Sequence, residues 1–487
     1  MGIFIAILII VGSTAALSGG GGGGGGGGNS SPAPVAPNPV TPTPPTITNP
    51  TFTIGSDWEV SDLEAATYKT SEYNNQLGLE KIQAAEAYAS LAKNGKAIAG
   101  NGVTIGIIDS GVQINHPEIS PRYIAQGRDY VNSDSDPNDD NGHGTFVASV
   151  AAGAKDNNQI HGVAFNSNII AEKVSNASGM AEYVDVRNGI EHATASGAKV
   201  LNISLGGNAS TNVKNGLIYA KAADVLTVAA AGNDARTSLD YPASYASDAT
   251  LKGYVLAVGA VDSSLNLASF SNQCGSDKDY CLVAPGVNIF GAYIGDNYVT
   301  GDGTSFSAPI VAGAAATLRA AWPHLTAPQV TDILLQTATD LGEAGVDTRY
   351  GHGMLNLYLA VQAQGSNSFS YGSSVNNLSY DIRSSSYISD PIFGDAFSKG
   401  MASTLNSAIF LDSYGRDYQA NLGNKISTRQ NNQSLNLEYI MLNNYKYQNI
   451  PLFFGENAKN NFNVSVMKNR NDANNQFGLK FITLDNS

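Results

Sequence analysis

Five short apolar runs constrain the fold of this 487-residue chain more than any other feature. Residues 103–108, 169–174, 200–205, 225–231 and 255–259 are rich in Val, Ile, Leu and Ala, with little polar alternation. Strands of that kind are buried on both faces, as in a parallel sheet covered by helices. Helical segments lie between several of them, for instance residues 185–196. Strand and helix in alternation predict an α/β domain around a central parallel sheet. Ligand groups in such sheets collect at the carboxyl ends of the strands, and Asp109 directly follows the first run.

Three polar residues sit in Gly-flanked turns beside apolar elements. Asp109 lies in Asp109-Ser110-Gly111, His143 in Asn141-Gly142-His143-Gly144-Thr145, and Ser305 in Gly303-Thr304-Ser305-Phe306-Ser307-Ala308-Pro309. Residues 308–318 read as a buried helix with Pro309 in its first turn, where a missing N–H does no harm. Ser305 then falls at or just before the helix start, where unpaired N–H groups and the dipole favour negative charge. A nucleophile that generates an oxyanion gains from that position. Taken singly, Ser305 is equally a helix cap and His143 a structural histidine. Together they suit nucleophilic catalysis, because a serine hydroxyl needs a base and the base needs an orienting carboxylate. The chain order Asp, His, Ser is one of the known convergent arrangements.

Ile107-Ile108-Asp109-Ser110-Gly111-Val112 with His116-Pro117, then His143-Gly144-Thr145, then the Ser305 segment, resemble the active-site blocks of subtilisin-like serine proteases. The resemblance spans roughly residues 68–363. It implies a serine endopeptidase acting on protein or peptide substrates, on a three-layer domain with a central parallel sheet. Asp109 would orient the imidazole, His143 would be the base and acid, and Ser305 the nucleophile. Ala230-Ala231-Gly232-Asn233 resembles the oxyanion block, with Asn233 as side-chain donor; a turn residue after a strand is its plainer reading. Ser204, Leu205, Gly206 and Gly207 resemble the strand that pairs with substrate and walls the pocket for the residue before the cleaved bond, with Ala231 and Gly232 on the other wall. A broad, largely apolar pocket is expected from these walls. Phe146 replaces the His usual after His-Gly-Thr and reads as a helix-packing position. Asp134, Asp136, Asp139 and Asp140 read as a solvated acidic loop in preference to a calcium loop, and no cofactor or metal is called for.

The ends of the chain carry other signals. Residues 1–18 read as a signal peptide on the apolar run 3–17, and residues 19–54 as a Gly/Pro-rich tether. Residues 55–365 are assigned to the peptidase domain, including an amphipathic helix on Leu79, Ile82, Ala85 and Ala89. Residues 366–487 are assigned to a strand-rich connector. Cys274 and Cys281 read as one small disulfide loop in an exported chain, with two reduced buried thiols as the alternative. More narrowly, the segment around residues 68–88, the 274–286 segment and residues 408–418 resemble subtilisin-like passengers of Gram-negative autotransporters. That resemblance implies a secreted or surface protease. It also implies outer-membrane association through a C-terminal barrel, of which residues after 416 could supply only the start of a truncated one. The net charge of −14 argues against a nucleic-acid partner. Two other functions compete: a binding passenger with an inactive protease fold, and an esterase. The Gly-x-Ser-x-Gly elbow of the latter is absent at Ser305.

Overall fold

The computed structural model describes residues 60–365 and 408–420. It also describes the strand backbones at 370–371, 374–375, 387–389, 426–428, 445–452, 462–469 and 477–483. The signal and tether assignments fall outside these residues.

Four short helices open the described chain: α1 (Asp62–Ala66), α2 (Ser71–Asn75), α3 (Leu77–Lys81) and α4 (Ala84–Lys93). Leu79, Ile82, Ala85 and Ala89 are all buried, as their spacing predicts. They do not share one helix, however. Gln83 takes a left-handed φ of 56°, and the Ile82 carbonyl accepts from the Leu357 N–H at 2.9 Å instead of continuing a helix.

The sheet follows. Its strands are β1 (Thr104–Asp109), β2 (Arg128–Asp129), β3 (Asn168–Lys173), β4 (Val200–Ile203), β5 (Leu226–Ala230), β6 (Val255–Val261) and β7 (Cys281–Pro285). They lie in the order β2-β3-β1-β4-β5-β6-β7, and every pairing is parallel. Successive residues feed opposite layers. Ile107, Val200 and Val228 belong to one core, and their neighbours Ile108, Leu201 and Ala229 to the other. Helices α5 (His143–Ala152) and α8 (Thr304–Ala321) cover the first face; α6 (Tyr183–Ala195) and α7 (Thr211–Ala222) cover the second. The architecture is a three-layer α/β fold. A hairpin of β8 (Ile289–Tyr293) and β9 (Asn297–Gly301) precedes α8, and α9 (Ala327–Gln336) and α10 (Leu357–Ala360) follow it.

Cys274 and Cys281 are joined as a disulfide, with Cα atoms 5.8 Å apart, across the short turn that leads into β7. A hairpin of Ala408–Leu411 and Asp417–Ala420 packs back on the first core through Phe410 and Tyr418. Its Arg416 is fully buried. The guanidinium meets Asp412 at 2.8 Å, donates to Ala360 O at 2.6 Å and Gln362 O at 2.8 Å, and lies 4.8 Å from the Trp322 ring. Further strands form a five-stranded sheet that includes Phe462–Asn469 and Phe477–Thr483, so the tail is strand-rich.

Candidate active site

Asp109 is the last residue of β1 and is wholly buried. Its Oδ1 accepts from the Ser110 N–H at 2.8 Å and lies 2.7 Å from His143 Nδ1. A carboxylate so placed makes Nδ1 the donor and leaves Nε2 as the acceptor. Burial alone would lower the His143 pKa. The facing Asp109 charge and its hydrogen bond outweigh burial, Asp139 adds to them, and the imidazole is held above its usual value.

His143 is the first residue of α5, after Gly142 at φ 103°. A Cβ there would strike the Tyr293 ring. Asp139 braces this start. Its Oδ1 accepts from Ser110 Oγ and from the N–H groups of Asn141 and Gly142, all at 2.9–3.0 Å. Its Oδ2 accepts from the N–H and hydroxyl of Thr145 at 2.9 and 2.7 Å. The expectation of a solvated acidic loop therefore fails at Asp139. This carboxylate satisfies N–H groups that a helix start leaves open. Asp140 meets Lys173 at 2.7 Å.

Ser305 is the second residue of α8. Pro309 consequently sits in the second turn, not the first as its sequence position suggested, and it cannot donate to the carbonyl four residues back. That carbonyl belongs to Ser305, and it accepts instead from Ser204 Oγ at 2.8 Å. Ser305 Oγ in turn donates to the Ser204 carbonyl at 3.2 Å. The nucleophile candidate is thus tied to the segment after β4 by two reciprocal bonds. Its hydroxyl shares one cleft with the imidazole. Unliganded sites often hold such pairs loosely until substrate arrives.

Asn233 follows β5. Its Oδ1 accepts from the Thr304 N–H and from Thr304 Oγ1, both at 2.8 Å. A backbone N–H can only donate, so the atom facing it is the oxygen, and the Nδ2 group faces away from Thr304. It lies near Gly303, two residues before Ser305, and lines the same cleft, a position from which an amide can donate to an oxyanion.

The cleft brings together Asp109, His143, Ser204, Leu205, Gly206, Ala230, Gly232, Asn233 and Ser305. Gly207 and Ala231 stand one residue off its surface. Gly207 and Tyr241 exchange backbone hydrogen bonds of 2.9 and 3.1 Å, and the Ala231 carbonyl accepts from the Asp240 N–H at 3.0 Å. β4 ends at Ile203, so residues 204–206 are an extension beyond the sheet and not a strand of it. The Gly206 backbone has no hydrogen-bond partner among the described residues. Phe146 is buried with its ring 4.1 Å from that of Phe306.

Asp240 also lines the cleft. It breaks the expected apolar lining, and no motif marks it, since it lies seven positions past Asn233 in an ordinary Leu239-Asp240-Tyr241-Pro242 stretch. Burial raises its carboxyl above the usual range, against the pull of the Arg236 charge.

A three-layer α/β fold carrying Asp, His and Ser at one cleft defines a class, the serine hydrolases with a subtilisin-like sheet. The profile of the Subtilase family matches residues 100–353. Over 268 residues the chain is 40% identical to Subtilisin DY of Bacillus licheniformis, covering 54% of this chain and 92% of that protein. Thermitase of Thermoactinomyces vulgaris is 36% identical over 291 residues, 59% of this chain and 96% of its own. Subtilisin Savinase of Lederbergia lenta is 35% identical over 286 residues, 58% of this chain and 98% of its own. The chain belongs to the subtilase family and is a subtilisin-like serine endopeptidase, with peptides as substrates.

Proposed function

We propose that Ser305 is the nucleophile of this endopeptidase, His143 its general base and acid, and Asp109 the carboxylate that fixes the imidazole tautomer. The observation that carries this reading is the 2.7 Å Asp109–His143 pair opening on the cleft that holds Ser305. On peptide binding, Ser305 Oγ leaves the Ser204 carbonyl, gives its proton to His143 Nε2 and attacks the scissile carbonyl. The oxyanion is received by Asn233 Nδ2 and the Ser305 N–H, a donor in the first turn of α8 that has no partner among the described residues. His143 then returns the proton to the leaving amine, and water repeats the cycle on the acyl-enzyme. The open Gly206 backbone supports a substrate strand pairing beside it. The raised His143 value keeps the imidazole ready to accept and stabilises the imidazolium that forms.

We further propose that residues 55–365 act as the peptidase unit of an exported protein, displayed at the cell surface or released, in the manner of an autotransporter passenger. The apolar run 3–17 and the Gly/Pro-rich stretch that follows support export. The buried Arg416 hairpin supports a connector docked on the peptidase. Hydrolysis of an internally quenched peptide by the purified full chain tests the activity. Cleavage lost in Ser305→Ala agrees with the reading. Hydrolysis of short esters with no peptide cleavage contradicts it.

A further inference from the structure

The residues at the far end of the cleft define more than its shape. Asp240 and Tyr241 cross between the two walls. The Asp240 N–H donates to Ala231 O at 3.0 Å on one side, and Tyr241 exchanges two hydrogen bonds with Gly207 on the other. This dipeptide therefore closes the space between residues 204–206 and 230–232. The Asp240 carboxylate points into that space. A Cβ added at Gly206 would stand 3.3 Å from Oδ2, and one added at Gly232 would overlap it. Gly206 puts no side chain against Oδ2, while beside Gly232 the neutral Asn272 amide shares this flank of the carboxylate and hydrogen-bonds it, so the oxygen is approachable from the Gly206 side of the cleft.

Charge accounting favours a cation there. Oδ1 accepts from Arg236 Nη1 at 2.8 Å. The same guanidinium meets Asp234 at 2.8 Å, and its side chain is 55% exposed. Two carboxylates thus share one solvated cation, which leaves one negative charge unbalanced. No Lys or Arg is among the described residues that line the cleft, whereas Asp302 and Asp109 are. Leu205, Ala230 and the two glycines offer a neutral passage that suits a flexible alkyl stem, with the anionic group at its end. A buried carboxylate reached through an apolar passage discriminates strongly between a cationic and a neutral tip, because the ion pair forms away from water.

We propose that this enzyme cleaves peptides after Lys or Arg, with Asp240 receiving the ammonium or guanidinium of the residue that precedes the scissile bond. The proposal rests on the reading of the cleft given above and replaces the apolar pocket expected from its walls alone. Asp240 acts as a specificity residue and takes no part in bond cleavage.

The test is kcat/KM of the purified full chain on matched peptides carrying Lys, Arg, Leu, Phe or Glu before the cleaved bond. The expected order puts Lys and Arg at least about 10-fold above Leu and Phe, with Glu last. Asp240→Asn should lower the Lys and Arg values about 10²-fold and leave Leu and Phe within about 3-fold. Asp240→Ser should give the same split and serves where the Asn variant does not fold. Arg236→Gln, which releases Oδ1, should raise the Lys and Arg values a few-fold. Wild type that favours Leu or Phe, or variants that lower all five peptides alike, would overturn the proposal while leaving the protease reading intact. No turnover of any peptide, with no labelling of Ser305 by a fluorophosphonate, would remove the reading of the cleft and this proposal together.

Discussion

Two histidine–carboxylate pairs sit on adjacent strands, on opposite faces of the sheet. His143 Nδ1 lies 2.7 Å from Asp109 at the end of β1, and His192 Nδ1 lies 2.7 Å from Glu172 in β3. Both carboxylates are fully buried, and each leaves one oxygen without a hydrogen-bond partner among the described residues. The pairs differ at the other imidazole nitrogen. His192 Nε2 accepts from Arg128 Nε at 3.2 Å, and its ring closes the last turn of α6 against the sheet edge. His143 opens the first turn of α5 on a cleft that holds Ser305 and Asn233. A buried carboxylate beside an imidazole is thus a common structural device. In the proposed mechanism it becomes a proton relay where the second nitrogen faces a cleft that also holds a nucleophile and a site for developing charge.

The comparison predicts a steep contrast in mutants. His143→Ala should lower kcat by about 10⁶-fold, whereas His192→Ala should leave peptide turnover within about 3-fold; steady-state kinetics of both would break the distinction if they fell together. Asp109→Asn should cost about 10⁴-fold in kcat by disfavouring the needed tautomer. Its counterpart Glu172→Gln should show no such loss, and its effect should appear in thermal unfolding. Asn233→Ala should fall between these, at about 10²–10³-fold in kcat with KM nearly unchanged.

The smallest effects lie in pH dependence, and the two pairs separate there as well. If His143 is the base as proposed, activity needs it neutral, and because its value is raised kcat/KM should fall as pH drops through an inflection above 6.5. Burial holds Glu172 up at about 7, against the pull of its hydrogen bond to His192. Its folded value exceeds that of an exposed carboxyl, so the folded state binds this proton more tightly. The stability it contributes is therefore present below about 4.5 and lost as pH rises through about 7, by about 3 kcal/mol at most. Unfolding of Glu172→Gln against wild type across that window measures it, and the kinetic inflection should not move.

The sequence discloses the parts of this site that depend on local chain geometry. Asp109 could be placed because a β-branched run ends there, and His143 and Ser305 because glycines open tight turns at helix starts. Contacts between distant segments are not visible in that way. Pro309 looks like a first-turn proline until the Ser204 hydroxyl is seen answering the Ser305 carbonyl. The periodicity of Leu79, Ile82, Ala85 and Ala89 reports burial correctly but hides the break at Gln83, which a contact from Leu357 accompanies. Asp139 reads as one of four loop acids, and only the packing of Ser110 and Thr145 around it makes it a brace. Asp240 is the sharpest case, because its meaning comes from two glycines 34 and 8 positions upstream.

Labelling of the purified full chain with a fluorophosphonate probe tests the central claim most directly. The account predicts stoichiometric labelling of wild type at Ser305, none of Ser305→Ala, almost none of His143→Ala, and undiminished labelling of His192→Ala. A folded wild type that does not label, or a His143→Ala variant that labels as fast as wild type, would contradict it.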